Sequence, residues 1–217
     1  QFNHPAYAGQ FLVNGQPLGY TQDGDAAMVL CEVMNTSAFS TNDAETETRR
    51  SNYEAACNRV LAAGYHVAFS SNQDNHCANW GASYGNRTAV LVASPAAGMP
   101  VSRDSFLDAL RARRVFATMD KHAQLLFTAN GKLMGERFDN HGPLQLSASF
   151  SNSAGRQAAA VAIFHGVPGG NGSVTQVSDQ AELMVTPAPG PHFYYVRLTQ
   201  DDGNLVWSAP VWVNQLP

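Results

Sequence analysis

The pattern of apolar residues changes near residue 120, and this change constrains the fold more than any other sequence feature. Before it, continuous apolar runs typical of buried strands alternate with segments of helical period. After it, short strand-like runs follow one another between turn sequences such as "GVPGGNGS" and "QDDGN", and Asn130-Gly131 marks a tight hairpin. The sequence therefore predicts an α/β domain at residues 1–121 and a β-sandwich domain at residues 122–217.

Strand and helix signals alternate in the first domain. "AAMVLCEVM" predicts a strand buried on both faces, and the S-x-x-E capping box at Ser51 predicts a helix that ends at Gly64. "YHVAFSS" and "TAVLVAS" predict two further strands, Ser102 opens a second helix, and "VFATM" predicts another strand. The order β-α-β-β-α-β is typical of a largely parallel sheet or of part of a β/α barrel.

Composition excludes several classes of protein. Hydrophobic residues make up 44% of the chain and charged residues 14%, which is enough apolar material for a core and too little charge for a disordered chain. The net charge of -4 argues against a nucleic acid or an anionic membrane as the main partner, and no apolar run is long enough to span a membrane.

The scarcity of lysine and the abundance of Asn, Ser, Gln and Ala favour a secreted or periplasmic protein. Because the sequence begins at Gln1 without Met or a signal-like segment, we expect a processed protein or a fragment.

Three cysteines leave two alternatives open. Cys31 lies in the first strand-like run and Cys57 on the apolar face of the following helix, while Cys77 lies in a polar loop. Cys31 and Cys57 are either two buried thiols or, in an exported protein, a disulfide.

The loop "SSNQDNHCANWG" carries the first candidate site. Asp74 and His76 follow a buried strand, and their spacing directs both side chains to the same side of an extended backbone. In α/β barrels, functional sites lie at this end of the strands. A carboxylate and an imidazole together suit Zn, Mn or Fe. The alternative interpretation is an ordinary surface loop.

Two further residues are candidates for the same site. In His4-Pro5, the proline restricts His4 to extended geometry, which can fix an imidazole at a strand end; the alternative is a frayed terminus. Arg87 follows the Asp74–His76 loop and is a candidate contact for an anionic substrate. His66, His165 and His192 are interpreted as surface or structural residues.

The order of several segments resembles a known family. "FNHP", "LCEVMN", "SSNQDNH", "DSFLDALRARRVFATMD" and "YYVRLTQDDGNLVWSAPVWV" together resemble the C-terminal part of PHP (polymerase and histidinol phosphatase) superfamily metallohydrolases, in the carbaryl-hydrolase-like branch. The resemblance implies part of a distorted β/α barrel, two or three divalent metals and a following β-rich domain. It implies that His4, Asp74 and His76 are metal ligands, with Asp74 and His76 in the catalytic centre. Glu32 and Asn35 of "EVMN" match a family feature at another strand end, which suggests contact with substrate or with the ligands, or a purely structural role.

The sequence departs from the family at its start. PHP proteins open with an H-x-H pair, and no two of the seven histidines here lie two residues apart. The resemblance therefore covers only the second half of the barrel. A half-barrel would leave two open sheet edges, so we expect a partner: the N-terminal half of the same precursor as a separate chain, or a second copy in a homodimer.

The predicted function is a metal-dependent hydrolase, inactive in isolation if the missing half is essential. The resemblance favours a phosphoesterase that acts on a small-molecule ester through a metal-activated water. One alternative is a carbamate, ester or amide hydrolase of the same family. Another is a non-catalytic processed fragment that serves as a structural or binding subunit. The sequence contains no G-x-S-x-G or Walker-type motif that would favour a serine hydrolase or an NTPase.

Overall fold

Strands dominate the structure. The computed structural model describes residues 1–7, 11–36, 50–93, 99–170 and 173–217, of which 45% lie in strands and 13% in helices. The helices in these ranges are α1 (Gln22–Ala27), α2 (Glu54–Ala63) and α3 (Arg103–Arg111). The strands, in chain order, are β1 (Leu12–Val13), β2 (Gln16–Pro17), β3 (Leu30–Asn35), β4 (Ser51–Asn52), β5 (Ala68–Asn72), β6 (Arg87–Val90), β7 (Val115–Thr118), β8 (Ala123–Ala129), β9 (Lys132–Leu133), β10 (Arg137–His141), β11 (Leu144–Asn152), β12 (Ala158–Gly166), β13 (Val174–Ser178), β14 (Glu182–Val185), β15 (Gly190–Gln200), β16 (Leu205–Ser208) and β17 (Val211–Leu216).

Two of the sheets form a β-sandwich. The larger sheet has the order β10-β17-β15-β16-β7-β6, with β12 on the other edge of β15 and β13 beyond β12. The smaller sheet has the order β14-β11-β8-β9. Apolar side chains from both sheets, including Leu125, Phe127, Leu146 and Val196, form one core cluster. The sandwich is therefore confirmed, with its core between two packed sheets.

Strand β15 is buried on both faces. Val196 and Leu198 belong to the sandwich core, whereas Phe193 and Tyr195 belong to a second core cluster shared with α2, β3 and β5. This separation follows from the two-residue period of a strand, which directs alternate side chains to opposite faces. The larger sheet is therefore the middle of three layers.

The third layer contains α2 and a small sheet of order β4-β3-β5. Strands β3 and β5 are parallel because α2 returns the chain to the starting end of the sheet. The N-terminal residues extend this sheet. The Phe2 N–H donates to the Leu30 carbonyl and the Phe2 carbonyl accepts from the Glu32 N–H, both at 2.9 Å, so this segment covers part of the outer edge of β3.

The predicted β/α barrel is wrong. No sheet in the described residues closes into a barrel, and β6 pairs with β7 in an antiparallel orientation within the larger sandwich sheet. Helix α3 lies between these strands but does not cross the sheet, since the chain reverses at its end and the Leu91 N–H donates to the Arg114 carbonyl at 2.8 Å. Only Ala109 of α3 is buried. A strand-helix-strand order therefore produced a hairpin with a helical insertion instead of a parallel crossover.

Local signals had mixed outcomes. Gly64 ends α2 in a left-handed conformation with φ 116°, and the Ser102 side chain caps α3, as predicted. The hairpin at Asn130-Gly131 is confirmed, since both residues have positive φ and join β8 to β9. The capping box at Ser51 is wrong, because Ser51 pairs in β4 and α2 begins only at Glu54.

The proposed division at residue 121 stays a prediction. Strands on both sides of it share the larger sandwich sheet, because β7 pairs with β16. Helix α2 is also bound to that sheet: Glu54 accepts hydrogen bonds from Tyr195 and from Arg197, each at 2.8 Å. Among the described residues, none of the helices has the length and hydrophobicity needed to cross a membrane.

Cys31 and Cys57 form a disulfide that joins β3 to α2, and Cys77 is a free thiol. This resolves the alternatives that the sequence left open. The bond closes a loop with a sequence separation of 26 residues.

Replacing both bonded cysteines in Cys31→Ala/Cys57→Ala should lower the free energy of unfolding by about 3.5 kcal/mol, because the unfolded chain regains the entropy of an open loop. Urea denaturation measures the difference, and Cys77→Ala is the control that should leave the midpoint unchanged. Equal midpoints for the double variant and the wild type would contradict the disulfide.

Candidate functional site

The candidate site lies where three parallel segments end side by side. The N-terminal segment runs parallel to β3, and β3 runs parallel to β5. His4 follows the N-terminal segment, Glu32 lies within β3, and Asp74 follows β5. This arrangement brings together side chains that are far apart in the sequence.

Distances between these side chains are short. His4 Nε2 lies 3.4 Å from Asp74 Oδ2 and 3.8 Å from Glu32 Oε2. His76 Nδ1 lies 3.9 Å from Asp74 Oδ1 but only 2.7 Å from the Asp74 backbone carbonyl. The His4 and Asp74 side chains are about a quarter exposed (27% and 28%), so both remain accessible to a ligand, and that of His76 is 55% exposed.

Glu32 is the buried anchor of the site. Its Oε2 accepts a hydrogen bond from the His4 backbone N–H at 2.7 Å. Its Oε1 accepts from the side-chain amides of Asn35 at 3.0 Å and Asn72 at 2.8 Å. The residue is only 2% exposed, so these donors replace the water that a carboxylate would otherwise need. Glu32 therefore holds the His4 backbone, and Asn35 holds Glu32. The predicted contact of Glu32 and Asn35 with substrate or with the metal ligands stays a prediction.

His4 and Asp74 both have unusual backbones. Their φ angles are 44° and 50°, in the left-handed region that residues other than glycine rarely adopt, so the extended geometry predicted for both residues is wrong. Such conformations cost free energy and persist where the surrounding structure imposes them, often at functional sites. The hydrogen bond from His4 N–H to Glu32 is one such constraint.

The loop after β5 is held by its own polar side chains. Asn75 Oδ1 accepts from the Cys77 N–H at 2.8 Å, and the Gln73 amide donates to the Tyr84 carbonyl at 2.9 Å. The Arg87 guanidinium donates to backbone carbonyls of the same loop, at Gly81, Tyr84 and Asn86. These bonds fix the loop, and the predicted contact between Arg87 and substrate stays a prediction.

Two tyrosines beside His4 were not predicted. The Tyr7 ring lies 5.3 Å from the His4 ring and 6.3 Å from the Tyr53 ring, between ring centroids. Burial raises the pKa of Tyr53, and the nearby Tyr7 and Glu32 raise it further. Tyr7 follows His4 by three residues, a signal visible in "HPAY". No sequence pattern indicates that Tyr53 and the Asn72 amide lie near the site, since the fold alone brings them there.

A metal fits one pair of these side chains but not the predicted set of three. Two ligands about 2.1 Å from a tetrahedral ion lie about 3.4 Å apart, which matches His4 Nε2 and Asp74 Oδ2. However, in the described part of the chain no group of three His, Cys, Asp or Glu side chains is placed to hold one ion. His76 lies beside Asp74 but its Nδ1 contacts the Asp74 carbonyl. Metal ligation by His4, Asp74 and His76 therefore stays a prediction.

No protein-family model matches the chain. A search of curated proteins finds similarity to an uncharacterized protein of Chlamydia trachomatis serovar D (strain ATCC VR-885 / DSM 19411 / UW-3/Cx). The two are 26% identical over 132 residues, which cover 52% of this chain and 21% of that protein. The chain thus spans about a fifth of the relative's length.

Solved structures show weak similarity. The fibronectin(III)-like modules of Clostridium thermocellum CbhA are 22% identical with a TM-score of 0.29, and the match covers 41% of this chain and 94% of that one. CopC from Methylosinus trichosporium OB3b is 16% identical with a TM-score of 0.25, over 42% of this chain and 94% of that one. At these TM-scores the similarity establishes neither a fold nor a function for this chain.

The Glu32 carboxylate should contribute measurably to stability. Glu32→Gln keeps the side-chain shape but replaces one acceptor oxygen by an amide that faces buried donors. We expect the free energy of unfolding to fall by about 1.5 to 3 kcal/mol, the usual contribution of hydrogen bonds to a charged group. Urea denaturation measures this, with Glu182→Gln on exposed β14 as the matched control. Equal stabilities for the two variants would exclude the anchoring role.

Proposed function

We propose that this chain is part of a metal-dependent hydrolase in which His4 and Asp74 bind a divalent ion. The observation that supports this most strongly is the 3.4 Å separation of His4 Nε2 and Asp74 Oδ2, two ligand atoms from distant parts of the sequence. The segment order that resembles PHP metallohydrolases gives independent support. Zn, Mn or Fe would each accept this mixture of nitrogen and oxygen ligands.

The side chains around the pair have distinct roles in this proposal. Glu32 holds the His4 backbone, and thereby the direction of the imidazole. His76 is the nearest additional ligand, and rotation of its ring away from the Asp74 carbonyl would free Nδ1. The exposed Tyr7 ring lies beside His4 and can contact a substrate, and the buried Tyr53 ring supports Tyr7 from behind.

A bound ion would lower the pKa of a coordinated water and polarise a phosphoryl or carbonyl oxygen. The resemblance favours hydrolysis of a phosphate ester, with carbamates, carboxylic esters and amides as the alternative substrates. The exposed faces of Asp74 and His76 leave room for a small ester.

A second chain completes the proposed site. Two protein ligands leave most positions around an ion open, whereas a catalytic metal commonly has three. The additional ligands would come from the N-terminal half of the same precursor or from a second copy of this chain. Because the described strands form no barrel, open barrel edges do not call for a partner, and the incomplete ligand set is the feature that supports one.

Export from the cytoplasm is part of the proposal. The Cys31–Cys57 disulfide supports an oxidising compartment, because such bonds are rare in cytosolic proteins of most organisms. A secreted or periplasmic location agrees with the composition of the chain.

The alternative function is a non-catalytic subunit that binds or supports a partner. The absence, within the ranges given above, of three converging ligand side chains favours it. Metal affinity and hydrolytic activity distinguish the two proposals.

Metal binding is tested by equilibrium dialysis against Zn²⁺ or Mn²⁺ followed by elemental analysis. The wild type should retain about one ion per chain, and Asp74→Asn should lose at least about tenfold in affinity because an amide is a much weaker ligand than a carboxylate. Asp179→Asn, an exposed aspartate in the turn before β14, is the control and should bind like the wild type. A wild type that binds no metal, or an Asp74→Asn variant that binds normally, would contradict the metal site.

Activity is tested with bis-p-nitrophenyl phosphate and with an aryl ester in the presence of the metal. Asp74→Ala should reduce hydrolysis to background while its metal-free melting temperature stays within about 2 °C of the wild type, because the side chain is partly exposed. Wild-type turnover by this variant would remove Asp74 from the catalytic centre. A metal-loaded wild type that forms a homodimer in light scattering, and therefore has a second chain, yet hydrolyses neither substrate would favour the non-catalytic subunit.

A further inference from the structure

A cavity lies at the opposite end of β5 from His4 and Asp74. It has a volume of about 430 Å³, and its lining includes His66, Arg137, Trp212, Pro168 and Pro191. His66 precedes β5 by two residues, just as Asp74 follows it by two. Volumes of about 300 to 1,000 Å³ are typical of sites for small molecules.

The Arg137 guanidinium is the cationic donor of the cavity. Strands β10 and β17 are parallel, and their register places Arg137 beside Trp212. Within the described part of the chain the Arg137 guanidinium makes no hydrogen bond or ion pair, so its N–H groups can serve an anionic acceptor in the cavity. Trp212 also lines the cavity, but its indole Nε1 is fully buried, so this residue contributes apolar surface and no donor.

The wall of the cavity presents one hydrogen-bond acceptor, the Nε2 atom of His66. Asp25 accepts a hydrogen bond from the His66 backbone N–H at 2.6 Å and contacts His66 Nδ1 at 2.8 Å. Because a carboxylate can only accept, it fixes the proton on Nδ1 and leaves the lone pair on Nε2. Burial lowers the pKa of His66 in spite of Asp25, and Arg137 and Arg113 lower it further, so the surroundings favour the neutral form of the ring.

One opposing charge lies nearby. Asp139 lines the cavity two residues after Arg137, and therefore about 7 Å further along the same face of β10. Its Oδ1 accepts a hydrogen bond from the Asn214 amide at 2.8 Å. Asp139 is thus directed to Asn214, and the end of the cavity near Arg137 and Trp212 favours a negative group.

We propose that this cavity binds a small organic carboxylate that also carries a hydroxyl group. The carboxylate accepts hydrogen bonds from the Arg137 guanidinium, and the hydroxyl donates to His66 Nε2. The apolar part of the ligand contacts Pro168 and Pro191. This site is separate from the proposed metal site and does not depend on it.

Three matched compounds test the proposal by isothermal titration calorimetry. Mandelate carries the carboxylate, the hydroxyl and an apolar ring; phenylacetate lacks the hydroxyl, and methyl mandelate lacks the charge. We expect saturable binding of mandelate and binding about tenfold weaker for each of the other two, since each loses one hydrogen-bonding group. No saturable binding of mandelate up to about 10 mM, or equal binding of methyl mandelate, would overturn the proposal.

Matched variants test the assigned residues. Arg137→Gln should weaken mandelate binding at least about tenfold and leave the affinity for methyl mandelate unchanged, whereas Arg103→Gln on exposed α3 should bind like the wild type. Wild-type affinity for mandelate in Arg137→Gln would overturn the assignment.

Discussion

The burial of β15 on both faces is the constraint on which the rest of the structure depends. Its inward residues complete the sandwich core, and its outward residues Phe193 and Tyr195 can be buried only if another layer covers them. Burying a large aromatic side chain stabilises a fold by about 1.5 to 3 kcal/mol. The small sheet and α2 supply that cover. Two-sided burial therefore binds the first half of the chain to the second, although each half has its own kind of sequence pattern.

Polar contacts make this junction specific. Burial raises the pKa of Tyr195 well above its ordinary value, so its hydroxyl remains protonated and donates to Glu54 in α2. Arg197 pairs with the other oxygen of the same carboxylate. Because an unpaired buried charge is costly, these contacts select one position of α2 on the sheet. The disulfide then connects α2 to β3, which carries Glu32 and so determines where His4 lies.

Strand β5 connects the two candidate sites. At its carboxyl end, a carboxylate and an imidazole lie at the separation expected of two metal ligands. Beyond its amino end, His66 is oriented by Asp25 and lines a cavity together with Arg137. The two sites flank a strand with four buried residues, and a rigid support of this kind keeps side chains in position for binding.

The sequence by itself determined the features that depend on neighbouring residues. The left-handed end of α2 at Gly64, the cap at Ser102, the hairpin at Asn130-Gly131 and the β-sandwich all follow from local conformational preferences and short-range periodicity. Only the tertiary structure decided how the strands pair. The sequence signals of β6, α3 and β7 are the same for a parallel crossover and for a hairpin with a helical insertion, and packing against β16 selects the second. The same holds for the contacts of Glu32 with His4 and Asn72 and of Asp25 with His66. These residues are distant in the sequence, so no local pattern records that folding brings them together.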